Sequence, residues 1–148
     1  MSLTSGSVLG FDFGLKRVGV AVGTLELRLA HPLETLNSEL TEARFKRIGE
    51  LIAEWQPVLL VVGVPHHDDG HAHDFAPTCV RFANRLHGRF GLPYALVNES
   101  YSSAAASSAL NQSGIRGRAQ KPLLDQVAAQ LILQHYFDES HHAHAHPA

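Results

Sequence analysis

The chain predicts a mixed α/β domain built on a five-stranded sheet, and three features carry that prediction. The stretch "SVLGFDFGLKRVGVAVGT", Ser7 to Thr24, holds two runs that alternate bulky with small side chains about a tight turn, as a β-hairpin does. "PVLLVVGVP" is a near-continuous apolar run bounded by prolines, the pattern of a central strand buried on both faces. The segments on either side of that run repeat their apolar residues with helical period, so the later strands are reached through crossovers.

Each element follows in order. In the hairpin, Leu9, Phe11 and Phe13 share one face of the first strand and Val8, Gly10, Asp12 and Gly14 the other; Val18, Val20 and Val22 oppose Gly19, Ala21 and Gly23 in the second. "LELRLAHPLETL" continues as a third extended segment interrupted by Pro32. "TEARFKRIGELIAEWQ" places Phe45, Ile48, Leu51, Ile52 and Trp55 on one helical face with charges opposite. After the central strand comes a polar loop, "HHDDGHAH". A helix over "DFAPTCVRFANRLHGRFG" follows, with Phe75, Val80, Phe82, Ala83 and Leu86 available for packing and Gly91 as its stop. "LPYALVNE" is the fifth strand and "SSAAASSALNQSG" a helix of small residues. "IRGRAQK" is a basic loop, and "PLLDQVAAQLILQHYF" is the closing helix with Pro122 in its first turn. The order is β-β-β-α-β-α-β-α-α, over a domain of residues 1–138 with a His-rich, disordered tail at 139–148. Crossovers demand parallel strands and the hairpin an antiparallel pair, so the first strand is the natural partner of both sets.

At 148 residues one such domain buries about two-thirds of its unfolded surface. The single Cys79 has no partner within the chain, which excludes an internal disulfide and leaves it a packing role. The longest apolar run is far too short to cross a bilayer, and no basic segment precedes an apolar one at the N-terminus, so a soluble cytoplasmic protein is expected. A net charge of −2 argues against a broad basic surface but leaves room for a local one. The histidines of "HHDDGHAH" and of the tail "HHAHAHPA" invite a transition-metal reading, but composition without fixed ligand geometry is weak evidence for one.

Asp12 stands inside an apolar strand, and its same-face neighbours, Gly10 and Gly14, leave its carboxylate in open space against bare backbone. An Asp beside a turn can also serve to cap it. Glu99 closes the fifth strand, and Asp125 falls in the first turn of the final helix, where a negative charge suits the helix dipole. The topology sends all three to the carboxyl edge of the sheet, where ligands of open α/β sheets bind. If they converge, mutual repulsion calls for a hard cation, Mg2+ or Mn2+, and such ions support phosphodiester hydrolysis. Lys16 and Arg17 in the hairpin turn and Arg116, Arg118 and Lys121 in the basic loop flank that edge as candidate phosphate clamps, although each group alone also reads as solvated surface.

"GFDFGLKRVGVAVG", "VVGVPHHDDG", "VNESYSS" and "LLDQVAAQLIL" together resemble the YqgF family, small bacterial proteins described as pre-16S rRNA nucleases or as Holliday-junction-resolvase-like. The resemblance runs from about Val8 to Phe137 and implies a ribonuclease-H-like fold, a mixed five-stranded sheet with helices on both faces. It also implies that Asp12, Glu99 and Asp125 together bind metal. The chain departs from the pattern at His67, which replaces the usual Asn, and in the third block, where Asp-Glu-Arg followed by Leu-Thr-Thr becomes Asn98, Glu99, Ser100, Tyr101, Ser102 and Ser103; Ser100 in place of the arginine removes a fixed-charge phosphate donor. The expected activity is a metal-dependent endonuclease on structured RNA, such as ribosomal precursor RNA, with DNA junctions as the alternative substrate. A binding module of the same fold with little catalysis is the second reading. A sugar-kinase- or actin-like phosphotransferase is the third, and it needs a second lobe and a far longer chain.

Overall fold

The structure is a computed structural model that describes residues 5–65, 75–99 and 120–143. Among the described residues five strands, β1 (Ser7–Phe13), β2 (Val18–Thr24), β3 (Ala30–Leu36), β4 (Leu59–Pro65) and β5 (Tyr94–Glu99), combine with three helices, α1 (Thr41–Trp55) after β3, α2 (Ala76–Phe90) between β4 and β5, and α3 (Gln120–Ala143) after β5. The sheet order is β3-β2-β1-β4-β5. β1 pairs antiparallel with β2 and parallel with β4, β5 runs parallel beyond β4, and β3 completes the antiparallel side. The first strand thus partners both sets, as the hairpin and the crossovers require.

Pro32 sits in β3 without breaking it because β3 is an edge strand, and the ladder to β2 slips by one residue opposite Val20 and Ala21 to accommodate it. Gly91 ends α2 in the left-handed conformation at φ 69°, its N–H donating to the His87 carbonyl at 2.9 Å. The helix expected over "SSAAASSALNQSG", the loop "HHDDGHAH", Arg116 and Arg118 lie outside the described residues. The last helix is longer than its sequence pattern indicates. It begins at Gln120, which draws Lys121 out of the expected loop and into the first helical turn. It runs on to Ala143, so the boundary placed after residue 138 falls inside it.

Two apolar layers cover the sheet. On one side Leu9, Phe11, Val18, Val20 and Val22 meet Phe45, Ile48 and Leu51 of α1 and Phe82, Ala83 and Leu86 of α2. On the other Val8, Ala21 and Val61 meet Ala129, Ile132, Leu133 and Phe137 of α3. This second face is the one whose small residues promise an open floor around Asp12, and there the expectation is corrected: α3 lies on it. Cβ atoms added at Gly10 and Gly63 would stand 2.8 Å from Leu133 and 2.4 Å from Ile132, so the missing side chains let the helix settle almost onto the strands. Gln130 and Gln134 then tie α3 to the sheet edge. The Gln130 amide donates to the Ala30 carbonyl, while Gln134 accepts from the Ala30 N–H and donates to the Arg28 carbonyl, each at 3.0 Å. Cys79 is buried in α2, and burial, followed by the nearby Asp12 charge, pushes its thiol up to about 12, consistent with packing rather than reactivity. Among the described residues no helix is long and apolar enough to cross a membrane.

Candidate active site

Asp12 occupies the next-to-last position of β1, opposite Gly19 of β2. Its side chain points to the α3 face, and there the glycine opposite it decides what it meets. A Cβ on Gly19 would lie 1.9 Å from the backbone oxygen of Asp125, a distance no side chain tolerates, so the backbone of α3 touches the sheet at this rung. Asp125 is thereby set beside Asp12. Because α3 starts at Gln120, Asp125 stands in the second turn rather than the first, and the sheet contact rather than the helix dipole determines its position.

The two carboxylates perturb each other. Burial first, and the Asp125 charge second, raise Asp12 from 3.8 to about 7. Asp125 is held by Arg17, whose Nε donates to Oδ2 at 2.6 Å; both side chains are partly exposed. Arg17 therefore stands next to the acids, as a charge partner of one of them. Lys16, its neighbour in the turn, is exposed.

The turn itself is fixed by Arg44, a residue the sequence pattern assigns only to the charged side of its helix. Arg44 is 6% exposed, donates from Nη2 to the Leu15 carbonyl at 2.7 Å and from Nε to the Ser38 carbonyl at 2.6 Å, and lies over the Phe13 ring. No helical or strand period marks such a residue in advance.

Glu99 ends β5 on the same face as Val97, toward α3, but its carboxylate is engaged elsewhere. Its Oε1 is hydrogen-bonded by His135 Nδ1, and His135 Nε2 meets Glu139 of the next turn at 2.9 Å. Burial works against charge on His135, but the two glutamates outweigh it and raise its pKa above the ordinary value. Asp12 and Asp125 are thus brought together, Glu99 is turned to His135, and among the described residues no three His, Cys, Asp or Glu side chains form a group that could hold a metal. The side chain of Lys121 lies outside the described residues, as do Arg116 and Arg118.

The sheet order and the crossovers are those of the ribonuclease-H-like fold, and solved structures of resolvases share it. The chain matches T. thermophilus RuvC in complex with a Holliday junction substrate at a TM-score of 0.52 and 18% identity, over 92% of this chain and 96% of that one. It matches the yeast mitochondrial Holliday junction resolvase at a TM-score of 0.56 and 14% identity, over 99% and 83%. The family model RuvX, described as Holliday junction resolvase, matches residues 6–139, and the chain belongs to that family. A relative in Nitrosomonas eutropha is 55% identical over 95% of this chain and 90% of its own length, and one in Methylobacillus flagellatus is 58% identical over 90% and 91%; both carry the name "Putative pre-16S rRNA nuclease".

Proposed function

We propose that this chain is a divalent-metal-dependent endonuclease that hydrolyses phosphodiesters of structured nucleic acid in the cytoplasm, with precursor 16S rRNA as its substrate. The observation that carries the reading is the pair Asp12 and Asp125, forced together by the bare backbone of Gly19. Two hard oxygen donors, one of them desolvated until its pKa reaches about 7, fit a cation that lets both ionise at neutral pH. Asp12 and Asp125 would hold Mg2+ or Mn2+, with Glu99 as the third carboxylate from the same face of the sheet. When bound, the ion would supply charge neutralisation at the scissile phosphate and activation of a water.

The protein's own groups do the rest. Arg17 orients Asp125 through Nε and keeps its remaining donors near the edge where a phosphate arrives. Arg44 fixes the turn that carries Lys16 and Arg17, so these cations approach the substrate from a set position. His135 holds the proton of its Nδ1 toward Glu99 and so keeps that carboxylate oriented on its strand end. Lys121, Arg116 and Arg118 are the further phosphate contacts of this reading.

A DNA four-way junction is the second substrate reading, supported by the description of the matching family model. One experiment tests both: purified protein against precursor rRNA and four-way DNA junctions, with Mg2+, Mn2+ or chelator. Metal-dependent cutting of the rRNA is expected, with a loss of about two or more orders of magnitude in Asp12→Asn and Asp125→Asn. Equal cutting by these variants would sink the mechanism, and cutting of the junction alone would transfer it to DNA.

A further inference from the structure

The face of the sheet turned away from Asp12 carries a charged cleft of its own. Phe13 follows Asp12 in β1 and so projects to the opposite side, where a cavity of about 240 Å³ opens between the N-terminal halves of α1 and α2. Phe13, Phe45 and Phe82 form its apolar lining, with Phe13 stacked on Phe82 at 4.5 Å. Three arginines, Arg44, Arg81 and Arg85, line it against a single acid, Glu39.

These arginines differ from the others near them. Arg17, Arg47 and Arg89 each have a carboxylate partner. Arg44 is committed to two carbonyls. Arg81 and Arg85, one turn apart on α2, are exposed and have no ion-pair or hydrogen-bond partner among the described residues. Beside them α1 and α2 both begin without a side-chain cap, so the positive ends of two helices add to the same field, with Thr41 and Thr78 as hydroxyl donors at the rim. In a chain whose net charge is −2 this local excess of cation is not a by-product of composition.

The cleft opens beneath Leu15. On the other side of that same turn, Arg17 reaches Asp125, and Lys16 is exposed between them. Arg81 and Arg85 line the cleft together with Leu15, and the two residues that follow Leu15 in the chain, Lys16 and Arg17, carry cations on to Asp125, so the turn joins the cleft to the carboxylates. A small anion would use one of these cations, whereas a polyanion extending past the reacting bond meets all of them. We infer that the cleft between α1 and α2 is a second phosphate-binding site, which holds the backbone of a nucleic-acid substrate away from the bond at Asp12 and Asp125. The inference rests on the nuclease reading above for its choice of polyanion.

The test is binding of a fluorescent RNA hairpin and a four-way DNA junction, titrated with salt in chelator so that nothing is cut. The Arg81→Gln, Arg85→Gln double variant should lower the slope of log affinity against log salt by about 0.7–0.9 for each lost contact. By the same relation, binding near 0.1 M salt should weaken by roughly 25- to 60-fold. Lys46→Gln, an exposed cation of α1 outside the cleft, should leave the slope unchanged, and Glu39→Gln should tighten binding by removing the one opposing charge. Both arginines are exposed and have no partner among the described residues, so the double variant should melt with the unaltered chain; if it does not fold, Glu39→Gln decides the matter alone. Unaltered affinity and slope in the double variant, or weaker binding by Glu39→Gln, would overturn the cleft while metal-dependent cutting by the unaltered chain kept the nuclease reading intact. The expected slope change with no cutting of any substrate would keep the cleft as a binding site and remove the nuclease. No binding by the unaltered chain, with or without Mg2+, would overturn both.

Discussion

Gly19 and Val20 are adjacent in β2 and face opposite ways, and the two sides of the sheet differ as these two residues do. On the Val20 side bulky aliphatic and aromatic side chains fill the space between the strands and α1 and α2, so those helices stand off at side-chain distance. On the Gly19 side the strand presents bare backbone, and α3 comes close enough for a main-chain oxygen to occupy the place of a side chain. The first side supplies apolar burial and, at its open end, the arginine-lined cleft. The second gives up side-chain volume and gains proximity, which is what two like charges need if they are to be held together. Close approach of backbone to backbone is how this fold places two acids on one rung without a loop to carry them.

Exchanging the characters of the two faces should have the largest effect. Gly19→Val gives β2 a better strand former, yet its Cβ must displace the Asp125 backbone. We expect a loss of about 3 kcal/mol or more in urea unfolding, with cutting reduced along with the displaced acid. The reciprocal change on the other face, Val20→Ala, only opens a cavity and should remove about 1–3 kcal/mol while folded molecules keep their activity. Equal losses of activity in the two variants would break the comparison.

A pH-dependent effect of comparable size belongs to Asp12. Its pKa is raised from 3.8 to about 7, so the folded state binds the proton more tightly than the unfolded chain. Its contribution to stability is therefore full below pH 4 and is lost as pH rises to about 7. The unfolding free energy of the metal-free chain, measured against Asp12→Asn, should fall over that window by a few kcal/mol, at about 1.4 kcal/mol per pKa unit, and level off above it. A difference that stays flat from pH 4 to 7 would mean that Asp12 is solvated rather than held against Asp125. The smallest effect should come from Arg17→Gln. Arg17 holds the Asp125 carboxylate that a cation of the proposed site would share and, besides orienting it, would compete with the ion for it, so its removal should tighten Mn2+ binding by calorimetry a few-fold, about 0.5–1 kcal/mol, while weakening binding to nucleic acid. Weaker Mn2+ binding would instead make Arg17 a support of the site.

Much of this was legible in the chain. Alternation in Ser7–Thr24 and the apolar run at Leu59–Pro65 fix strand type and facing, because side-chain direction in a strand has period two whatever the strand packs against. The same alternation placed Asp12 among glycines and so marked it as unusual. Asp125 was legible as a carboxylate near a helix start, but its setting on Gly19 was not, since a glycine opposite an acid reads as empty space until a helix fills it. Glu99 was expected to face the same pair and is engaged by His135, a residue that the helical pattern treats as one more polar position. Arg44 reads as solvated charge on its helix and is buried against a turn it clamps. Local spacing along the chain thus determined the strands and their faces and marked Asp12 as out of place. Only the tertiary structure decided which acid meets which, because contacts between residues more than a hundred positions apart depend on how closely two surfaces approach, and that is set by the volumes on both of them at once.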